Sequence, residues 1–341
     1  MALRIGIVGA GANTRLRHIP GFQEIDGVEV VAVCNRSRES SQAAADPFGI
    51  GKIFDTWQEL VESDEVDAVC VGTWPYLHCP ITLACLEAGK HILTEARMAM
   101  NLAEARQMLE ASRNSDKVAM VVPAPFYLRE EQTLLEMLAA GEFGELLEIQ
   151  VAALSGGWDP ETPIHWRQQR ALSGNNIMTM GIFNETVRRY AGHEKSVMAQ
   201  GKVFIGERTH PDPGGSNKAD VPDSLGILTE HENGAVGVYH FSSVARLGRN
   251  ATFEFYGTKG SFKLEAGRGF VALDGDKAFR ELEVAPEKQG SWRVEQEFVD
   301  AIREDAPVTH TNFEDGVKYM EFTEAVQLSL SEGRRIDLPL S

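Results

Sequence analysis

Residues 3 to 122 alternate short apolar runs with amphipathic stretches, and this alternation constrains the fold more than any other feature of the chain. Leu3 to Val8, Val28 to Val33, Asp67 to Val71, His91 to Leu93 and Lys117 to Val122 read as buried strands. Helical stretches lie between them, such as Thr82 to Ala88 closed by Gly89, and Leu102 to Ser112. Strands alternating with helices predict a parallel, doubly wound α/β sheet.

The pattern changes at Pro123-Ala124-Pro125, where prolines stop the sixth strand. A helix over Glu131 to Ala140 ends at Gly141. Alternating strands follow over Leu146 to Leu154, Ser224 to Glu230, Ala235 to Ser242, Thr252 to Tyr256 and Ser261 to Glu265. Their connections, Glu232-Asn233-Gly234 and Gly257-Thr258-Lys259-Gly260, carry the Gly and Asn that hairpin turns demand. Consecutive hairpins predict an α+β domain with a large, mostly antiparallel open sheet. Helices near 175 to 190, 291 to 304 and 314 to 331 are expected to cover one of its faces. Two domains result, 1–122 and 123–341. The Gly- and Pro-rich stretch from Gly206 to Pro222 reads as a mobile surface excursion in preference to a flap over a site.

Composition narrows the function classes. The chain has 341 residues, enough for two cores, with 43% hydrophobic and 24% charged residues, as in globular proteins. A formal net charge of -17 argues against nucleic acid and against an anionic membrane surface. Cys34, Cys70, Cys79 and Cys85 form no C-x-x-C pair, and Cys34 and Cys70 sit in apolar runs, as suits a reducing compartment. The N-terminus runs directly into a strand without a signal-peptide pattern, and no apolar stretch approaches the roughly 20 residues of a spanning helix. A cytoplasmic protein is expected. His210, His231 and His240 lack ligand spacing and no Cys/His cluster exists, so no metal site is expected. Nor is there a G-x-S-x-G elbow for a nucleophilic serine.

The first strand ends in Gly9-Ala10-Gly11-Ala12-Asn13-Thr14. In a dinucleotide fingerprint the first glycine makes the tight turn. The second lets the backbone approach a pyrophosphate whose charge rests on the next helix start. Thr14 stands where the third glycine allows close helix–strand packing. After the first strand of a βαβ unit, this turn marks a Rossmann domain that binds NAD(P), with Gly9, Gly11, Ala12 and Asn13 at the cofactor. The second strand ends in Cys34-Asn35-Arg36-Ser37-Arg38, where an NAD enzyme usually has a carboxylate for the ribose diol. Asn35 is neutral, and Arg36 and Arg38 can bind a 2'-phosphate, so NADP(H) is favoured over NAD(H), with both left open.

Several segments resemble the glucose-fructose oxidoreductase, inositol dehydrogenase and MocA-like (Gfo/Idh/MocA) family over essentially the whole chain. They are Gly9-Ala10-Gly11 with His18-Ile19-Pro20 downstream, Asp67 to Thr73 with His78 five positions on, Leu86 to Glu95, Gly141 to Glu145, Phe313 to Gly316 and Leu338-Pro339. The resemblance implies a Rossmann domain joined to an open sheet often used for oligomerisation, hence a homo-oligomer, dimer or tetramer. It implies oxidation of a secondary alcohol of a sugar, cyclitol or related polyol, or reduction of the matching ketone. By analogy Thr73, Trp74 and His78 line the nicotinamide side, and Glu95 lies where the fifth strand meets the crevice.

The chain departs from the family pattern where the chemistry lies. Members typically read Glu-Lys-Pro where this chain has Glu95-Ala96-Arg97, so Ala96 takes the place of the lysine that would meet the reacting oxygen. A second signature, Asp-x-Gly-x-His-x-x-Asp, appears as Thr179-Met180-Gly181-Ile182-Phe183-Asn184-Glu185-Thr186. Positions 179, 183 and 186 share a helix face, which has therefore lost two acids and an imidazole. Oxidising an alcohol requires a group near neutral pKa to take the hydroxyl proton. Replacement catalytic candidates are His165 as the acid/base, Tyr127 as a phenol relaying a proton, Arg97 to bind a carboxylate or polarise a substrate carbonyl, and Thr179 to hydrogen-bond a hydroxyl. Trp166, Arg167, Asn176, Phe183 and Asn184 are candidates for substrate contact, and Glu185 adds a carboxylate nearby. For each, a bland alternative stands beside the functional one: His165 on a surface loop, Arg97 at a solvated helix start, Tyr127 packed beside Phe126, Asn176 as a helix cap. Two other functions remain open, a redox-neutral lyase or glycosidase that retains its cofactor, and a catalytically silent dinucleotide-binding sensor or scaffold.

Overall fold

The most apolar runs of the first half take the middle of a six-stranded parallel sheet, where both faces are covered. The computed structural model describes residues 2–124, 129–212, 214–249 and 251–341. In it the strands are β1 (Leu3–Val8), β2 (Val28–Cys34), β3 (Lys52–Ile53), β4 (Ala68–Val71), β5 (His91–Thr94) and β6 (Ala119–Val121). Their order is β3-β2-β1-β4-β5-β6. The winding reverses between β1 and β4, which opens a crevice outside the carboxyl ends of those strands. Ile5, Ile7, Ala68, Val69 and Leu93 lose all contact with solvent. The two-residue β3 is too short to show a pattern in the sequence.

Local chemistry fixes where the helices begin. Ser37 and Thr56 each accept a hydrogen bond from the N–H three residues on, at 3.2 Å, and the side chain there bonds back. Gly89, at φ +68°, follows the helix His78–Glu87 as expected. Lys90 is buried and donates to the carbonyls of Ser63 and Val66 at 2.8 and 2.6 Å, tying down the loop that leads into β4.

The chain forms two compact units that a single boundary at 122/123 does not describe. The first comprises Met1–Pro123 with Arg293–Met320, and the second Ala124–Trp292 with Glu321–Ser341. The helix Val294–Glu304, expected over the second sheet, packs in the first unit, with Phe298 edge-on to Phe22 at 6.2 Å. Its apolar stripe requires a partner surface, but the stripe alone does not say which. Thr311 exchanges backbone hydrogen bonds with Val121 at 2.9 and 3.0 Å, which covers the free edge of β6.

The second unit is built on β7 (Leu146–Leu154), β8 (Glu194–Lys202), β9 (Ser224–His231), β10 (Val236–Ser242), β11 (Thr252–Gly257), β12 (Gly260–Glu265), β13 (Arg268–Leu273), β14 (Arg280–Glu281) and β15 (Ile336–Asp337). The order β14-β13-β12-β11-β7-β10-β9-β8-β15 is antiparallel except between β7 and β10. Burial alternates along β9 and β10, as a sheet covered on one face requires. Tyr239, Phe241, Phe253, Phe255 and Phe262 form the core side with the helix Met180–Ala191, while Leu147, Met198, Leu228, Val236 and Val238 are about half exposed.

The stretch 206–222 is anchored along its described residues. Arg208 is buried and donates to the carbonyls of Asp159 and Thr162 at 2.8 and 3.0 Å, and Ala219 and Val221 are buried too. Its Gly and Pro content marks a chain without regular structure, but it carries no information on the side chains that pin it. Among the described residues no helix is long and apolar enough to cross a membrane, and no three His, Cys, Asp or Glu side chains gather to hold a metal ion.

Candidate active site

The turn after β1 is held by missing side chains. Gly9 adopts φ +85°, and a Cβ there would lie 2.7 Å from Thr73. Such a position admits little but glycine. At Gly11 an added Cβ would meet only the Gly72 carbonyl, at an ordinary 3.5 Å, and would project into the crevice. Thr14, where a third glycine was expected, is buried with its hydroxyl donating to the Gly9 carbonyl at 3.3 Å. The space it needs comes from Gly72 at the end of β4, where a Cβ would lie 2.0 Å from the Thr14 hydroxyl. The close approach is kept with the glycine moved to the opposing strand.

Beside this turn lies a cleft of about 510 Å³, lined by Gly9, Ala10 and Gly11, by Asn35, Arg36 and Ser40, by Asp55 and Trp57, and by Thr73, Trp74 and Tyr76. Asn35 does not point a free amide at a ribose. Its Oδ1 accepts from the Ala10 N–H at 2.6 Å and its Nδ2 donates to the Ser40 carbonyl at 2.9 Å, so it braces the glycine turn. Arg36 is exposed on the cleft wall. Arg38 is held by Asp55 at 2.8 Å, and Asp55 itself lines the cleft. A carboxylate therefore stands near the β2 end after all, supplied by the segment after β3. Ala12 is exposed at the turn. Trp57, Trp74 and Tyr76 give the cleft an aromatic wall that the sequence reading had not assembled, because 17 positions separate the first two.

The ends of β4 and β5 carry the remaining cofactor candidates. Thr73 and Trp74 line the cleft, but His78 does not. It is buried, with Nδ1 2.9 Å from the Arg97 carbonyl and Nε2 3.0 Å from the Thr73 carbonyl, and burial lowers its pKa. A neutral ring donates to one of these carbonyls and staples the two strand ends together. Glu95 accepts from Asn13 Nδ2 at 2.5 Å and from His18 Nε2 at 3.1 Å, and the Ala96 N–H bonds its other oxygen at 3.2 Å. His18 Nδ1 lies 2.5 Å from Glu295 Oε1. Burial works against the charged ring, yet hydrogen bonds to Glu295 and Glu95 carry the His18 pKa up to about 9. Burial likewise opposes ionisation of Glu95, and His18 overcomes it, holding the carboxyl below its usual range. Arg97, a candidate whose bland alternative was a solvated helix start, is 4% exposed, so that alternative does not hold.

In the second unit the helix Met180–Ala191 shows where its signature side chains go. Phe183 is in the core, 5.8 Å from the Phe241 ring, and Asn184 is fully buried, donating to Glu194 at 2.5 Å. Both were candidates for substrate contact, and both face the sheet instead, because an amphipathic helix turns its apolar stripe and the residues beside it inward. Glu185, read as solvated or near a site, is buried and paired with Arg189 at 3.6 Å. Asn176 is buried and donates to the Ser173 carbonyl at 2.7 Å, closing the turn Arg170–Ser173. Thr179 is half-buried at the helix start. His165 is exposed and caps the turn Trp166–Gln168 through Nδ1, and Arg167 stacks over the Trp166 ring at 4.2 Å. Tyr127 lies outside the described residues.

Two matches decide the family. The family described as "Oxidoreductase family, NAD-binding Rossmann fold" matches residues 3–122, and its "GFO/IDH/MocA C-terminal domain" matches 132–263. The chain belongs to the GFO/IDH/MocA oxidoreductase family. It is 24% identical over 98% of both chains to a myo-inositol 2-dehydrogenase of Thermotoga maritima, and 29% identical to a 1,5-anhydro-D-fructose reductase of Ensifer adhaerens over 76% of this chain and 74% of that one. A levoglucosan dehydrogenase structure in complex with NADH and levoglucosan superposes with a TM-score of 0.86 over the whole of both chains at 24% identity, which shows a shared fold.

As a GFO/IDH/MocA member the chain is an oxidoreductase, and its first unit fits the NAD-type cofactor of that family. The fit rests on the open Gly11 position and on the interlock of Thr14 with Gly72. Residues that the sequence reading had not assigned to a site include Glu295, Asp55, Glu194 and Tyr239. Only the Thr56–Glu59 capping box beside Asp55 left a local signal. Glu295 and Glu194 become polar partners through contacts 277 and 10 residues away in the chain, which no spacing rule reaches.

Proposed function

We propose that this chain transfers a hydride between NAD(P) and a secondary alcohol, or the matching ketone, of a sugar, cyclitol or related polyol, with a proton relay unlike the family's usual one. The observation that carries this reading is the glycine turn, braced by Asn35 and interlocked through Thr14 and Gly72, beside a cleft of about 510 Å³. The dinucleotide supplies the hydride acceptor or donor when bound. Gly9 and Gly11 present backbone to the pyrophosphate, and Trp57, Trp74 and Tyr76 offer faces on which an adenine stacks. Arg36, exposed on the cleft wall, is the guanidinium placed to meet a 2'-phosphate, while Arg38 faces Asp55. On this ground NADP(H) and NAD(H) both bind, with the phosphorylated form preferred. The named relatives act on inositol, anhydrofructose and levoglucosan, which supports a polyol-like substrate.

His165 is our candidate for proton handling. Desolvation by its neighbours and the Arg167 charge lower its pKa, so the ring is neutral at neutral pH. With Nδ1 accepting from the Arg167 N–H, the neutral ring carries its proton on Nε2. Taking up a hydroxyl proton at Nδ1 requires that this cap be released. Trp166 and Arg167, stacked on one another, stand beside it as the candidate substrate platform. A second copy of the chain is the partner proposed for the half-exposed sheet face of Leu147, Met198, Leu228, Val236 and Val238.

The test is absorbance at 340 nm with NADH and NADPH, and with their oxidised forms, across a panel of cyclitols, anhydro-sugars and keto-sugars. Turnover with at least one member is expected, and His165→Ala is expected to lower kcat by about 100-fold, the lower end of what a general acid or base contributes. Cofactor binding without turnover anywhere in the panel would sink the hydride-transfer reading.

A further inference from the structure

We propose that Glu295 is a positioning residue of the dinucleotide site: through His18 and Glu95 it holds Asn13 and the helical turn after the glycines in the conformation that receives a pyrophosphate. The inference rests on the dinucleotide reading of the cleft and names what keeps that cleft in shape.

Glu95 grips one helical turn at both ends. Asn13, which opens the turn Thr14–His18, donates to Glu95 Oε1 at 2.5 Å, and His18, which closes it, meets the same oxygen at 3.1 Å. The helical run that contains this turn opens at Ala12, directly after Gly11, and continues through Gln23. Its first N–H groups are the ones that face a bound phosphate in such a fold. A carboxylate that accepts from both ends sets the pitch and direction of that turn. Glu95 can do so only if its own orientation is fixed and it stays ionised in a buried place. His18, fully buried, supplies the fixed partner, and Glu295 holds His18 from its other nitrogen at 2.5 Å.

A second observation shows that room was made for this arrangement. Gly21 lies inside the helix Ile19–Gln23, where glycine is unfavourable by about 1 kcal/mol relative to alanine. A Cβ at Gly21 would sit 2.9 Å from three atoms of the Glu295 side chain. The missing methyl group is the space that the carboxylate occupies.

The triad also has a definite charge logic. One buried imidazolium lies between two carboxylates, and removing one member of a buried ionic cluster leaves the others poorly compensated. The groups that face His18 are Glu95 after β5, Glu295 on the helix Val294–Glu304 and the Asn13 amide. Cys70 on β4 lies near both carboxylates as a neutral thiol, its pKa pushed up by burial, and His78 acts on Glu95. With a value of about 9, the ring stays charged across the neutral range, and its hold on Glu95 is lost only as pH rises through that value. Glu295→Gln removes one of the two carboxylates that raise it, so the loss moves toward neutral pH.

The experiment is fluorescence titration of NADH and NADPH into the full chain from about pH 6.5 to about pH 9, for wild type, Glu295→Gln and Gly21→Ala. The wild type is expected to hold a constant Kd up to about pH 8.5. Both variants should bind roughly tenfold more weakly at that pH and recover toward pH 6.5, where His18 regains its proton. A purely structural defect weakens binding equally at all pH values, so a pH-independent loss, or wild-type affinity throughout, overturns the positioning role. Should the variants fail to fold, histidine NMR of the wild type decides: a charged, slowly exchanging His18 at about pH 8 supports the triad, and a neutral ring at that pH overturns it. If the wild type itself binds neither dinucleotide, the cofactor reading falls first and takes this inference with it.

Discussion

The glycine turn of the first unit and the helix Met180–Ala191 of the second are the two places where this family's chemistry is expected, and they are built on opposite principles. Around the turn, polar groups satisfy one another and space is kept open by absent Cβ atoms: Asn35 braces Ala10, Glu95 braces Asn13, and Gly72 makes way for Thr14. Along the helix, side chains fill space. Phe183 packs on Phe241, Asn184 reaches down to Glu194, and Thr186 bonds back to the Ile182 carbonyl at 3.1 Å. A cavity that must admit a ligand needs preorganised donors and a dry frame, whereas a helix that covers a sheet gains stability by burying its inward side chains. The comparison teaches that the cleft of the first unit is kept open by backbone and polar braces, while the helix Met180–Ala191 is packed into the core of the second.

The largest expected effect tests that second statement. Phe183→Ala should cost about 3–5 kcal/mol of stability in chemical denaturation, as a large buried ring leaves a cavity. A variant with unchanged stability and a raised KM would instead make Phe183 a wall of the substrate pocket. Next comes the turn. In Gly72→Ala the new methyl meets the Gly9 carbonyl at 2.4 Å as well as the Thr14 hydroxyl, so backbone must move. NADH and NADPH affinity should fall by more than about 100-fold by calorimetry, with a lower Tm. Retained affinity would mean that the interlock does not shape the cleft.

Smaller effects sharpen the contrast between satisfied and strained polar groups. Glu194, buried against Asn184 and Tyr239, has its pKa pushed up by burial to about 7. The folded chain then holds this proton more tightly than the unfolded one, so stability falls as pH climbs from the usual carboxyl range to about 7 and levels off above it. Glu194→Gln keeps an acceptor oxygen and removes the charge. Its Tm should exceed the wild type's by several degrees, roughly 3 °C or more, at pH 8, and the two should converge toward about pH 4. A parallel pair of pH profiles would show that Glu194 is not the group responsible. The smallest effect is at the cleft wall. Arg36→Ala should weaken NADPH by about tenfold and leave NADH nearly unchanged, since one charge-assisted contact to a 2'-phosphate is lost. Equal losses for both cofactors would remove Arg36 as the source of any preference.

Local signals sufficed for much of this molecule. The apolar runs gave all of the longer Rossmann strands, the hairpin residues Asn233 and Gly234 gave the β9–β10 turn, and Gly9 and Gly11 marked the cofactor turn. Several site candidates share one feature. Asn35 lines the cleft, and His78 and Asn184 do not, but the hydrogen bonds of all three go to other parts of the protein chain. The helix Val294–Glu304 was legible as a helix and not as a member of the first unit, because amphipathicity states that a face must be buried without naming what buries it.

The sequence by itself determined the two fold classes and the dinucleotide turn, since each is written in residue types at fixed local spacing. Only the tertiary structure decided which polar side chains point at the cleft and which are spent holding it. It brought Glu295 to His18 across 277 positions, and Asp55 to Arg38 across 17. Hydrogen bonds and ion pairs act over a few ångströms of space, and chain separation carries no information on that distance once the backbone has folded back on itself.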